Sequence, residues 1–187
     1  MKIWIFLPAY NEEESLERLL PKLRETVTQL TDHETVIVVL DDGSSDRTAL
    51  VVEAEATTQS IVLLPHSINR GLGETERDGF EYLAKHSEDD DVIIRLDCDD
   101  THEPVYIQSM ISKLSEGYDV VGTSRFQPGG YQKGVNWYRR GISSAANMFM
   151  RIMFGIKGVK DYSCGFRAYR ANVIKDAVQI YGNSFLQ

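Results

Sequence analysis

Five short apolar runs punctuate the chain: "IWIFLP" at 3–8, "TVIVVL" at 35–40, "SIVLL" at 60–64, "DVIIRL" at 91–96 and "YDVVGT" at 118–123. Near-continuous rather than alternating hydrophobicity marks strands covered on both faces, as in a parallel sheet. Between the first two runs the period changes. In "NEEESLERLLPKLRETVTQL", Leu16, Leu19, Leu20, Leu23, Val27 and Leu30 recur at helical spacing. Asn11 is placed to cap that helix, glutamates fill its first turn, and Pro21 predicts a kink. Comparable stripes cover 46–56, 74–86 and 104–116, so strands and helices alternate. That alternation predicts an α/β fold: a doubly wound, Rossmann-like, mostly parallel sheet with helices on both faces. The 187 residues fit one domain, without repeats, linkers or low-complexity segments.

In sheets of this class ligands settle outside the carboxyl ends of the strands, so the chemistry is carried by the residues just past each run. The five runs lead into "PAYNEE", "LDDGSSDRT", "HSINRGLGE", "LDCDDTHEP" and "TSRFQPGG". Asp41, Asp42, Asp97, Asp99 and Arg125 should therefore share one rim. Several carboxylates gathered around a nucleotide would repel its phosphates and one another unless a divalent cation lay between them. Asp97 and Asp99 stand two apart, on the same side of an extended chain, and so can face one hard cation, Mg²⁺ or Mn²⁺. A dinucleotide site is the rival reading, but it needs a GxGxxG turn after the first strand, where this chain has "PAYNEEE". The closely spaced glycines of "GLGETERDG" come after the third strand instead.

Charge and composition narrow the partners. The formal net charge of −8 argues against a nucleic-acid binder, which needs a basic face. Cys98 and Cys164 form neither a disulfide framework nor a zinc motif, which suits a reducing, cytoplasmic setting. The N-terminus lacks a signal-peptide pattern, and no stretch reaches the roughly 18 apolar residues of a spanning helix. The four histidines, His102 among them, read as ordinary polar residues.

Taken together, "LPAYNEEESL", "VVLDDGSSDRT", "NRGLG" with "RDGFEY", "RLDCDDTHEP", "GTSRF" with "PGG", "RRGISSAAN" and "DYSCGFRAYRA" resemble, in order, a family 2 glycosyltransferase of GT-A fold. Polyprenyl-phosphate sugar synthases such as dolichol-phosphate mannosyltransferases are the most similar kind. The resemblance implies a nucleotide-diphosphate sugar donor (GDP-mannose or a UDP-hexose), a divalent metal, and a polyprenyl-phosphate acceptor at a membrane surface. It assigns Pro8, Tyr10, Glu12 and Asp42 to the nucleotide's base and ribose, with Leu40 contributing backbone. Asp97 and Asp99 match the family's Asp-Xaa-Asp metal pair, and Cys98 stands between them as a small packing residue. Arg125 and Arg139 match basic positions that meet the diphosphate or the acceptor phosphate; Arg140 is an alternative to Arg139, and Ser143 lies one turn beyond. Two departures stand out: Asp100 and Thr101 replace the glutamine that is common just after the pair, and Glu74 comes after "GLG" where a small residue is usual.

The chemistry implied is a single displacement that inverts the anomeric carbon. Departure of the nucleoside diphosphate builds negative charge that a metal and a fixed arginine stabilise. A phosphate monoester, with a second pKa of about 6, is largely ionised at pH 7 and attacks without a general base. A sugar or protein hydroxyl acceptor would need one, and Asp161 in "KDYSCGFR" is the candidate, its other readings being a helix cap or a partner for Arg167. A third reading of the chain is a non-catalytic nucleotide-sugar-binding module. The segment 137–155 mixes Arg139, Arg140 and Ser143 with aromatic residues and methionines, which suits a helix lying peripherally on a membrane as well as an ordinary core helix. The family normally continues beyond the final "YGNSFLQ", so residues 1–187 are expected to be a single catalytic domain truncated at its C-terminal end.

Overall fold

The computed structural model describes residues 1–127 and 137–181, and within the helix beginning at Trp137 it describes the backbone but not the side chains of Trp137, Arg139 and Arg140. Strands β1 (Lys2–Ala9), β2 (Glu34–Asp41), β3 (Ile61–Pro65), β4 (Val92–Arg95) and β5 (Val120–Gly122) correspond to the five apolar runs. A sixth strand, β6 (Arg167–Arg170), has no such run. The sheet order is β3-β2-β1-β4-β6-β5. β1 pairs in parallel with β2 and β4, and β2 with β3, whereas β6 is antiparallel to both of its neighbours, β4 and β5.

Period-2 geometry sends alternate residues of β1 to opposite faces of the sheet. Ile3, Ile5 and Leu7 enter one core, with α1 (Glu13–Gln29), α2 (Thr48–Glu55) and α4 (Tyr106–Ser115); Trp4 and Phe6 enter the other, with α3 (Leu72–His86) and α6 (Ala171–Tyr181). Both faces are therefore covered, which is why the strand read as continuously apolar. Leu16, Leu19, Leu20 and Leu23 of α1 are fully buried. Each stabilises the fold by on the order of 2 kcal/mol. The helix passes through Pro21 without a break.

Asn11 is not the cap. Glu12 holds that position without a side-chain bond, while Asn11, at φ 54°, accepts a hydrogen bond from Ser45 N at 2.8 Å. The free N–H groups at the start of α1 are instead satisfied by the loop that leaves β2: Asn11 N donates to Ser44 Oγ, Glu12 N to Thr48 Oγ1 and Glu13 N to Asp46 Oδ2. Arg47 N donates back to Glu13 Oε2 at 2.7 Å. The exits of β1 and β2 are thus locked to each other.

Candidate functional site

A cavity of about 280 Å³ opens at the carboxyl ends of the central strands. Four stretches wall it: Pro8, Ala9, Tyr10 and Glu12 leaving β1; Asp42 leaving β2; Asn69, Gly71, Leu72 and Thr75 between β3 and α3; and Asp97, Cys98 and Asp99 beyond β4. Of the residues expected at a nucleotide, Pro8, Tyr10, Glu12, Asp42, Asp97 and Cys98 line it, and so does Asp99. Leu40 does not. It sits inside the ladder between Pro8 and Leu64 with its side chain in the core. The lining residues of 69–75 belong to the expected rim by strand order, yet none of them was assigned a role from the sequence.

Asp41 and Asp42 divide two roles. Asp41 Oδ1 accepts from Ser44 N at 3.0 Å, closing the turn. Gly43, at φ 69°, lets the next loop press against that turn, since a Cβ there would lie 2.5 Å from the Ile68 carbonyl carbon. Asp42 faces this loop: Oδ1 lies 2.7 Å from His66 Nδ1 and accepts from Arg70 N at 2.9 Å, while Oδ2 accepts from Gly71 N at 2.8 Å. Burial alone would raise the Asp42 pKa, but the bonds from His66, Arg70 and Gly71 outweigh it and hold the carboxyl below its ordinary value.

The positive charge that balances Asp97 comes from within β4. Arg95 is buried and ion-pairs with both Asp97 and Glu76. Gly165 makes the room, because a Cβ there would collide with the Arg95 guanidinium and approach Asp97 Oδ2 to 2.7 Å. Asp97 Oδ1 is thereby occupied and Oδ2 left over. Likewise Asp99 Oδ1 accepts from Thr101 N and Oγ1, leaving its own Oδ2. His102 Nδ1, buried and without a hydrogen bond, lies 3.5 Å from Asp97 Oδ2, and Nε2 lies 3.6 Å from Cys164 Sγ. Burial pushes the His102 pKa down, but the Cys164 contact and the charges of Asp97 and Asp99 raise it overall. His66 thus binds a site carboxylate and His102 sits beside one, where the sequence reads both as ordinary polar residues.

Among the described residues, no three His, Cys, Asp or Glu side chains form a metal-holding group. Two carboxylate oxygens with a free lone pair still fit a hard cation that takes its remaining ligands from water and substrate phosphate. Asp100 is not a third ligand; it pairs with Lys22 and Arg18 of α1. Glu74 is held by Arg70 and Arg77. Burial, with the charges of Glu12 and Asp97, pushes the Cys98 thiol well above its ordinary pKa, in keeping with a packing role.

Arg125 comes after β5 on the same edge of the sheet but does not line the cavity. Its Nε donates to Asp161 Oδ2 at 2.8 Å and its Nη2 to Asp161 Oδ1 at 2.9 Å. Asp161 Oδ2 also accepts from Arg125 N, and Oδ1 from Ser163 N and Oγ. With its oxygens so engaged, Asp161 is not arranged as the general base expected for a hydroxyl acceptor. Nor does it meet Arg167, whose guanidinium binds the carbonyls of Cys164 and Tyr162.

The helix α5 (Trp137–Phe154) carries the remaining predicted positions. Ser143 is half-buried and outside the cavity; the side chains of Arg139 and Arg140 lie outside the described residues. Ser144, Asn147, Met148 and Arg151 face Phe126 and Lys160 across a second cavity of about 230 Å³. Among the described residues Ile142, Met148, Phe149, Ile152, Met153 and Phe154 are all exposed, Ile152 to 74%.

A sequence model of glycosyl transferase family 2 matches residues 4–177. The chain belongs to that family. This family 2 chain is 32% identical over 185 residues to the undecaprenyl-phosphate 4-deoxy-4-formamido-L-arabinose transferase of Proteus mirabilis, and 33% identical to the enzyme of that name from Serratia proteamaculans. Each alignment covers 98% of this chain and 53% of the relative, so the chain spans about half the length of the curated relatives it matches. Among solved structures it is similar to the glucosyl-3-phosphoglycerate synthase of Mycobacterium tuberculosis, crystallised with Mn²⁺, UDP and glucosyl-3-phosphoglycerate, at a TM-score of 0.64 and 22% identity. That match covers 92% of this chain and 57% of the other. The family 2 fold here is accordingly the GT-A fold, a mostly parallel sheet with helices on both faces.

Proposed function

We propose that this family 2 chain is the donor-binding catalytic domain of a metal-dependent, inverting glycosyltransferase that moves a sugar from a nucleotide-diphosphate donor, GDP-mannose or a UDP-hexose, to a polyprenyl phosphate. The observation that carries the reading is the convergence of Pro8, Tyr10, Glu12, Asp42, Asp97 and Asp99, from three separate strand ends, on one cavity. Asp42 accepts hydrogen bonds from the nucleoside. Asp97 and Asp99 offer their free oxygens to Mg²⁺ or Mn²⁺. The cation, when bound, neutralises charge that develops on the departing diphosphate.

The protein's part is chiefly to orient. Arg95 fixes Asp97, and Thr101 fixes Asp99, so neither carboxylate must reorganise during transfer. Asp161 and Ser163 hold the Arg125 guanidinium outside the cavity wall, at the carboxyl edge of the sheet. An acceptor that is already ionised suits a site whose one buried candidate base is fully hydrogen-bonded. The names of the relatives, undecaprenyl-phosphate transferases, support the same acceptor class. No described helix is long and apolar enough to cross a membrane, and the exposed apolar side of α5 serves as a peripheral membrane contact on the cytoplasmic side.

Calorimetric titration of GDP and of UDP, with and without Mn²⁺, tests the reading against the Asp97→Asn/Asp99→Asn variant. One nucleotide should bind, in the presence of metal only, and the double variant should weaken it at least about tenfold. Equal binding by the double variant would refute the assignment of the pair.

A further inference from the structure

His66, the first residue after β3, is absent from the cavity wall, yet it touches the carboxylate that the cavity depends on. A carboxylate only accepts hydrogen bonds, so the ring nitrogen facing Asp42 Oδ1 is the donor. With His66 Nδ1 and Arg70 N, both lone pairs of Oδ1 are used. Oδ2 takes Gly71 N, and the neighbouring Thr75 hydroxyl already donates to Gly71 O. One oxygen of Asp42 is thus an anchor, and the other keeps a lone pair for a ligand.

The opposite side of the ring is fixed as well. His66 Nε2 lies 3.1 Å from Asp78 Oδ2 of α3, and Asp78 is in turn bound by Arg70 and Arg77. Asp42, Asp78 and the guanidinium of Arg70 are the charged groups gathered at this ring. Gly43 leaves the intervening loop no slack, because it packs against Ile68 and Asn69. The imidazole therefore spans the gap between the end of β2 and the first turns of α3.

We propose that His66 is a positioning residue for nucleotide binding: its Nδ1–H turns the Asp42 carboxylate so that Oδ2 is left to the nucleoside, and its other nitrogen ties that setting to α3 through Asp78. The proposal rests on the reading of Asp42 as a nucleoside ligand. Two substitutions separate the two nitrogens. An asparagine amide nitrogen falls where Nδ1 lies, and a glutamine amide nitrogen falls near Nε2. His66→Asn keeps the donor to Asp42, and His66→Gln loses it while still reaching toward Asp78.

The experiment is titration of UDP and GDP with Mn²⁺ into the native 187-residue chain, His66→Asn, His66→Gln and Asp42→Asn, with a melting temperature for each. His66→Asn should bind within about threefold of native, and His66→Gln should bind roughly tenfold more weakly, the worth of one charge-assisted hydrogen bond. A purely structural role would lower the melting temperature and affinity of both variants together. Equal losses in the two, or native affinity in His66→Gln, would overturn the proposal while Asp42→Asn still weakens binding. Native affinity in Asp42→Asn would instead remove the nucleoside reading on which it rests. Should His66→Gln not fold, His66→Asn alone decides: native-like affinity supports the proposal and a tenfold loss refutes it.

Discussion

Asp161 shows how a single carboxylate is committed by its neighbours. Its side chain is 0% exposed, and burial by itself would raise its pKa; the hydrogen bonds from Arg125 and Ser163 overcome that and lower it. A depressed carboxylate contributes stability that is complete above its unfolded value, near 3.9, and lost as pH falls through the lower folded value. A double-mutant cycle with Arg125→Ala and Asp161→Asn should give a coupling of about 2 kcal/mol at pH 7, between the exposed and fully buried limits. By urea titration that coupling should be lost as the pH falls through the lowered folded pKa; a coupling near zero at pH 7 would mean the pair is only a surface contact. The strand-end rule located Asp42, Asp97 and Asp99, because each lies within a few residues of an apolar run, and the family resemblance added Pro8, Tyr10 and Glu12. It could not locate partners. Arg125 and Asp161 are 36 positions apart, as the ladder of β5 and β6 dictates, and no local period records that.

At the scale of elements, α3 and β1 fit closely. A Cβ on Gly79 would lie 2.1 Å from the Phe6 ring, which is fully buried and packs edge-on against Phe80 at 5.5 Å. Gly79→Ala should therefore cost about 2 kcal/mol in chemical denaturation, although it raises helix propensity. Adding Phe6→Leu should recover part of that loss if the ring is the obstacle; a further additive loss would point elsewhere. The first five strands and the first four helices were legible in the sequence because their apolar residues come in runs or at helical period. β6 was not, since in "RAYR" only Ala168 is fully buried. Its two arginines reach out to backbone carbonyls, Arg167 to Cys164 and Tyr162, Arg170 to Tyr118 and Leu114. Polar residues that satisfy loop carbonyls at a strand's flanks look like loop residues themselves. Capping of α1 was illegible for a related reason: the groups that satisfy its first N–H bonds come from 44–48, not from the residue just ahead of the helix.

For the molecule as a whole, an acidic chain with a net charge of −8 carries an exposed apolar helix side on α5. Such a surface should associate with zwitterionic phospholipid vesicles in sedimentation assays. Replacing Phe149 and Ile152 by serine should weaken that association at least about tenfold, since each buried side chain is worth on the order of 2 kcal/mol. A native chain that stays wholly in the supernatant would exclude the membrane contact. The position of β6 has a different consequence, one of timing. It fills the place between β4 and β5 although it is the last of the six strands to leave the ribosome. During synthesis β1 to β4 can pair as they emerge, but β5, at residues 120–122, has no neighbour in the sheet until residue 170 is out. From Arg95 to Arg170, about 75 residues, the helix α5 among them, must be made before the edge of β4 is closed, so a nascent chain passes through a stage with that edge open to its neighbours on the polysome.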